Sequence, residues 1–426
     1  MFVHGLKEQR LSGVHVSEIV LFSISTTILR LDSHCINLKH PVLIATLCIF
    51  CILSNLLVQY RATAADEMSL SGAAEVGKDT MKAVVYEEFG QPEDVLQVRD
   101  DVPVPQFRLH DVLVEVHAAS LNPIDWKVLV GNFALLSGLT QKRPGFDFAG
   151  KVIAVGPRCQ RLQIGDLVHG MTVFRRTGTL AEYLAVNEAE VAKIPEGMSM
   201  VDAAALPLAG LTANSISKYT GEGSRVLVLG GASATGSAGI QIAKLNGAKD
   251  ITTTCSPHSD AYVRSLGATE TVNYRKLDVW TAMREQGKQF DVIFDTIEDA
   301  VPGETWRGAV KGKVLARGGH LVTITGDKQG KFTVGELLKR GWQISARNTA
   351  LKINYGGAGY HQYTQTKGDH EALSVLNRSV RLAIDSVYPL HETAAAFRRL
   401  MSAHRGKVLV AIKDTIKTRI PEGGQN

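Results

Sequence analysis

Arg225–Leu245, RVLVLGGASATGSAGIQIAKL, is the stretch on which the reading of this chain turns. RVLVL is short, apolar and rich in β-branched residues, which is the texture of a buried strand. The residues from Ser237 onward take on helical spacing and stop at Gly247, a glycine placed where a helix ends. Between them lies Gly231-Ala232-Ser233-Ala234-Thr235-Gly236, a G-x-G-x-x-G turn with serine at the middle position. Gly231 is expected to permit the tight turn. Ser233 is small enough to let the backbone approach a pyrophosphate, and Gly236 lets the helix pack on the strand. The helix start then offers N–H donors and a partial positive charge to phosphate. Such a pattern alone is weak. A strand before it and a helix after it make a dinucleotide site the preferred reading; the alternative is a glycine-rich turn that merely closes an αβ unit.

Alternation continues on both sides. ITTTCS reads as the next strand, SDAYVRSLGA as a helix and TETVNY as a third strand. FDVIFDTI, HLVTIT and WQISA are further apolar runs separated by helix-like stretches. Strands alternating with helices imply a parallel sheet with crossovers. Upstream, residues 82–195 are short strand-like runs between Gly and Pro corners, a mostly β module. Downstream of Leu373 come two helical stretches, then KVLVAI, a return to β texture that completes the first module. The fold class is therefore α/β, a β module with an inserted doubly wound parallel sheet. The expected boundaries are 1–80 for an N-terminal segment and linker, 81–200 for the β module, 201–348 for the dinucleotide-binding domain, 349–415 for the return and 416–426 for a tail.

Composition narrows the class. The 426 residues are 45% hydrophobic and 21% charged, too apolar for disorder and too lightly charged for a coiled coil. Aromatics at 6% and the absence of a basic run argue against nucleic acid as a partner. The first 80 residues hold six Lys/Arg against seven Asp/Glu, so of the net +5 they carry −1 and the rest of the chain +6. Three of the five cysteines, Cys35, Cys48 and Cys51, also lie in that first part, and no disulfide framework is indicated. Residues 42–58, VLIATLCIFCILSNLLV, contain no charge. Seventeen residues is the lower limit for a membrane span. A signal-anchor, a cleaved secretory or organellar leader, and a buried helix all fit this run. Membrane association through residues 42–58 and a mitochondrial, plastid or secretory address are the corresponding expectations.

The residues at the end of the second strand select the cofactor. An NAD site places Asp or Glu about twenty residues beyond the glycine turn, against the ribose 2′-hydroxyl. Here that place reads Thr254-Cys255-Ser256-Pro257-His258, with no carboxylate before Asp260. Ser256 can hydrogen-bond a 2′-phosphate, and His258, Arg264 and Arg275 lie near in sequence. NADP(H) is preferred on that ground. Metal chemistry is not expected: Cys159 and Cys255 have no Cys or His partner at zinc-ligand spacing.

Nine motifs in order carry a resemblance: AASLNPIDWK, PGFDFAGKVIAVG, QIGDLVHG, GTLAEYLAV, AALPLAGLTA, VLVLGGASATGSAGIQIAK, SLGATETVNY, GGHLVTITG and HRGKVLVAI. Over residues 81–415 the chain resembles the medium-chain dehydrogenase/reductases, above all their zinc-free quinone oxidoreductase-like branch, which includes mitochondrial reticulon-interacting oxidoreductases and chloroplast envelope quinone reductase homologues. The resemblance implies a GroES-like β module with an inserted Rossmann sheet. It also implies that Ser233, Ala234, Thr235 and Gly236 cradle the pyrophosphate, that Ser256 and Tyr274 face the 2′-phosphate, and that Thr212 and Lys407 lie near the cofactor. Asn122 and Asp125 would face the nicotinamide pocket, Asn122 orienting the acceptor. In the family's zinc alcohol dehydrogenases a ligand cysteine falls where this chain has Asn122, and a ligand histidine where it has Phe146. The segment from Lys352 to Gly368 departs from the pattern.

The expected function is NADPH-dependent hydride transfer to a quinone or α,β-unsaturated carbonyl without zinc. Two other readings are a catalytically idle NADP(H)-binding scaffold or redox sensor, and an enoyl-thioester reductase. A homodimer is the expected assembly.

Overall fold

A computed structural model describes residues 69–133, 143–172, 178–297, 301, 303–325, 333–365, 367–402 and 404–420. The charge-free run at 42–58 lies outside them. Among the described residues no helix is long and apolar enough to cross a membrane.

Strands β1 (Thr80–Val85) and β2 (Gln97–Pro103) form an antiparallel pair. A larger sheet comes next: β3 (Asp111–Leu121), β4 (Asp147–Val155), β5 (Leu167–Met171), β6 (Tyr183–Asn187) and β7 (Val191–Lys193). The chain then builds a second sheet from β8 (Arg225–Leu229), β9 (Asp250–Cys255), β10 (Glu270–Asn273), β11 (Phe290–Asp295), β12 (Leu315–Thr323) and β13 (Gly359–Gln362). Finally β14 (Ile384–Pro389) and β15 (Lys407–Ala411) rejoin the first sheet, β15 pairing antiparallel with β3.

The second sheet runs in the order β10-β9-β8-β11-β12-β13, and every pairing in it is parallel. The order reverses beside β8, so a crevice opens at its carboxyl end, where doubly wound sheets bind ligands. RVLVL is apolar throughout because both faces of its strand are covered. Val226 and Val228 enter one core with Ile240, Ile242 and Phe294; Leu227 and Leu229 enter the other with Met283, Leu321 and Leu351.

Two sequence expectations are corrected by the fold. WQISA is not a strand: it lies within one 21-residue helix, Val334–Asn354. The start signal was present, since Thr333 accepts from the Glu336 amide at 3.2 Å, half of a T-x-x-E capping box. The parallel sheet also extends past the boundary expected at residue 348. Gly359–Gln362 pairs with β12, and the long helix packs against it, with Asn348 accepting the Tyr360 amide at 2.8 Å.

Candidate active site

The glycine turn departs in detail from its sequence reading. The left-handed backbone is at Gly230 (φ 77°), not at Gly231. Gly231 is needed for space, since a Cβ there would lie 2.1 Å from Thr253 Oγ1. The helices around the site are α1 (Pro123–Leu129), α2 (Pro207–Asn214) and α3 (Ala234–Leu245), the last of which leaves the glycine turn. Ser233 caps α3, accepting from the Gly236 amide at 3.0 Å, and its hydroxyl lies 3.1 Å from Thr296 Oγ1 at the end of β11. Ser233 therefore fastens the turn across the crevice as well as being small. A Cβ on Gly236 would lie 2.2 Å from Gly230 O, so helix and turn touch backbone to backbone. The Ala234 and Thr235 amides belong to the first turn, whose donors have no intrahelical acceptor. This cradle fits a pyrophosphate.

Ser256 and Tyr274 leave the sheet side by side, because the β9–β10 register ends with Cys255 opposite Asn273. Tyr274 is 57% exposed. Arg264 donates to Asp260 Oδ2 (3.0 Å), Thr269 O (3.1 Å) and Thr271 Oγ1 (2.8 Å), clamping its own helix to β10.

The second group of expected site residues converges in the β module. The β15–β3 register sets Val408 opposite Leu121, which brings Lys407 to Asn122. Lys407 Nζ donates to Asn122 Oδ1 at 2.6 Å and lies 3.3 Å from Asp147 Oδ2. Asn122 Nδ2 donates to Asp147 at 2.8 Å, and Ser120 Oγ does so at 2.9 Å. The other Asp147 oxygen accepts the Leu208 amide at 2.9 Å, in the first turn of α2, the helix that carries Thr212 one turn later. Asp147 is 0% exposed and Lys407 2%. Burial pushes the Asp147 carboxyl up and the Lys407 ammonium down. Four donors on one carboxylate, one of them at a helix start, oppose that and hold the ion pair.

Asn122 was expected to orient the acceptor; in the structure one amide N–H donates to Asp147 and its oxygen accepts from Lys407. Its own backbone N–H donates to Asp125 Oδ2 at 2.7 Å, tying the start of α1. Asp125 Oδ1 is buried without a hydrogen-bond partner, and burial, with the Asp147 charge adding, raises this carboxyl to about 7. Folding thus lifts it above its usual ~3.9. The folded state holds the proton more tightly between those values, so stability falls as pH rises through that window. Asp125→Asn keeps an acceptor for Asn122 and has no proton to lose. The melting temperature of the variant relative to wild type should therefore rise from about pH 4.5 to 7.5, by up to the equivalent of about 3 kcal/mol. A flat difference in thermal melts would show Asp125 ionised throughout.

Sequence reasoning missed Asp147, Ser120 and Gly230. The signal for Asp147 was its position: an acid opening the apolar strand DFAGKVIAV, matched by a base opening KVLVA. Two opposite charges each leading into buried strands are candidates for a pair.

The parallel sheet in 3-2-1-4-5-6 order, a phosphate cradle at its switch point and a β module closed by returning strands define a dinucleotide-dependent oxidoreductase architecture. Residues 108–196 match the alcohol dehydrogenase GroES-like domain, and residues 266–410 match the zinc-binding dehydrogenase family. The chain belongs to the medium-chain dehydrogenase/reductase superfamily, among its quinone and enone oxidoreductase homologues. It is 36% identical over 275 residues to the 2-methylene-furan-3-one reductase of Solanum lycopersicum, covering 61% of this chain and 68% of that one. It is 30% identical over 364 residues to the mitochondrial NAD(P)H oxidoreductase RTN4IP1 of Mus musculus, covering 78% and 89%. The quinone oxidoreductase structure from Coxiella burnetii superposes with a TM-score of 0.64 at 27% identity, covering 78% of this chain and all of that one.

The family description implies zinc, and the residues here do not suit it. Phe146 has no donor atom, and the Asn122 oxygen already accepts from an ammonium, which a dication at the same atom would have to displace.

Proposed function

We propose that this chain is an NADPH-dependent reductase that delivers hydride to a quinone or an α,β-unsaturated carbonyl without a metal. The observation that carries the reading is the buried Lys407–Asn122–Asp147 cluster. It puts an ammonium where the zinc members of the family need ligands, and leaves direct hydride transfer as the available chemistry.

The bound dihydronicotinamide supplies the hydride. The chain's own residues orient and exclude water. Ser233 caps α3 and leaves the Ala234 and Thr235 amides for the pyrophosphate. Asp147 holds the first turn of α2, and through it Thr212, in register with the β module. Lys407 fixes the Asn122 amide, so the end of β3 presents one conformation to the nicotinamide pocket. An electron-poor acceptor needs only a proton from solvent afterwards. Relatives named for enone reduction and for NAD(P)H oxidation support the substrate class.

Purified protein should oxidise NADPH in the presence of a simple quinone or enone, and faster than NADH. Cofactor binding in titration without turnover on any quinone, enone or enoyl thioester would make it an idle NADP(H)-binding protein. Turnover on the thioester alone would make it an enoyl reductase. Ser256→Asp should shift preference from NADPH toward NADH by placing a carboxylate beside the 2′ position. An unchanged ratio of the two dissociation constants would remove Ser256 from the site.

Residues 42–58 serve, in this reading, as an organellar leader or membrane anchor, in keeping with relatives named as mitochondrial or chloroplastic. The mass of the mature protein separates cleavage from retention. A homodimer rests on the family resemblance, and sedimentation velocity tests it.

A further inference from the structure

We propose that the chain holds a second ligand site, for a metabolite-sized organic anion, in the cavity between the end of α2, the long helix Val334–Asn354 and the edge strand β13. The site stands apart from the cofactor reading above.

Two cavities of about 280 and 320 Å³ share Ser215, Lys218 and Tyr363 in their walls. Neither is lined by a residue of the glycine turn, the Ser256 corner or the Lys407 cluster. Ser215 directly follows α2. It is 8% exposed, and its hydroxyl is buried without a hydrogen-bond partner. A buried hydroxyl costs free energy unless it is bonded, so one left unpaired in a cavity wall marks a place for a polar ligand atom. Lys218 is exposed, and among the described residues no carboxylate pairs with it. Its Nζ lies 4.9 Å from the centre of the Tyr219 ring, a contact that leaves N–H donors open.

The wall beside Lys218 is held in place. Tyr219 stacks on His320 and His361, with ring centres 4.3 and 4.5 Å away, and His320 Nδ1 lies 3.2 Å from His361 Nε2. Gly359 makes room for the pair: a Cβ there would lie 2.3 Å from His361 Nε2. Burial, and then the Lys218 charge, holds the His320 ring below the usual histidine range. Burial, with the His320 and Lys218 charges adding, pushes His361 down to about 4. Both rings are therefore neutral at pH 7, and among the described residues Lys218 carries the only charge in the lining of the first cavity. Asp369 is the one carboxylate lining the second, and its Oδ1 already accepts the Ala372 amide at 3.0 Å. An oxyanion suits the junction, where Ser215 Oγ and Lys218 Nζ can both donate to it. Val322, Ile344 and Tyr360 line the first cavity beyond, so the rest of the ligand is apolar. The volume is that of a small-molecule site.

Isothermal titration of the full chain, with and without NADP⁺, against benzoate, phenyl phosphate and neutral anisole tests this. At least one of the two anions should bind, one per chain, and more tightly than anisole; the better of the two identifies the head group as carboxylate or phosphate. Lys218→Met should weaken that binding by about 10-fold or more, and Ser215→Ala by about 3- to 10-fold. Ser215→Ala should leave the melting temperature of the free chain unchanged, because the hydroxyl it removes has no partner. Absence of binding by both anions would leave the cavity to water and overturn the proposal. Anisole binding as tightly as the anions, or affinities that neither substitution alters, would overturn it too. Binding that NADP⁺ abolishes would assign the cavity to the cofactor cleft and overturn it as a second site.

Discussion

Asp147→Ala should lower the melting temperature by on the order of 10 °C, from a loss of about 3–5 kcal/mol. The substitution strands Lys407, 2% exposed, with only Asn122 Oδ1 as acceptor, and an unpaired buried ammonium is far costlier than the pair. It also frees the Leu208 amide at the start of α2 and the Ser120 hydroxyl. The double substitution Asp147→Ala with Lys407→Met removes the stranded charge. It should be more stable than Asp147→Ala alone, though not as stable as wild type, because the α2 contact stays lost. Thermal unfolding of wild type, the two single variants and the double variant gives the coupling. Additive losses would show that Lys407 and Asp147 do not act as a pair, and would remove the electrostatic reason for treating this cluster as a unit.

Gly236→Val should abolish measurable NADPH binding. A Cβ at Gly236 would meet Gly230 O at 2.2 Å and Gly231 Cα at 3.0 Å, all backbone that cannot swing aside as a side chain would. The helix must retreat from the turn, and the Ala234 and Thr235 amides retreat with it. Ser233 would also lose its 3.0 Å bond to the residue 236 amide, and with it the cap that sets the helix start. Circular dichroism separates loss of the site from loss of the fold. Retained affinity in a folded variant would contradict the placement of the phosphate cradle.

The legible parts of this protein were those whose physics is local. RVLVL could be read as a buried strand because β8 is covered on both faces and carries no polar residue after Arg225. The helix after it declared itself by spacing and by Gly247, and Tyr274 and Ser256 could be matched to neighbouring strand ends. Local signals failed where two patterns overlap. WQISA has the composition of a strand and sits in a helix whose start is marked only by Thr333 and Glu336. Within the glycine turn, three glycines at 230, 231 and 236 do different work. Composition does not say that Gly230 takes the left-handed backbone while Gly231 and Gly236 make room.

The sequence by itself determined the α/β class, the dinucleotide turn, the missing carboxylate at the ribose position and the residues unsuited to zinc. These arise from side-chain chemistry at short separation. Tertiary structure alone decided partners distant in the chain. Asn122, Asp147 and Lys407 become one buried cluster because β3, β4 and β15 are neighbours in a sheet, although Asp147 and Lys407 are 260 residues apart. The same return of the chain brings Arg405 to the His258 carbonyl, 147 residues away in sequence. Burial and strand register set which charges meet, and neither is a property of any one segment.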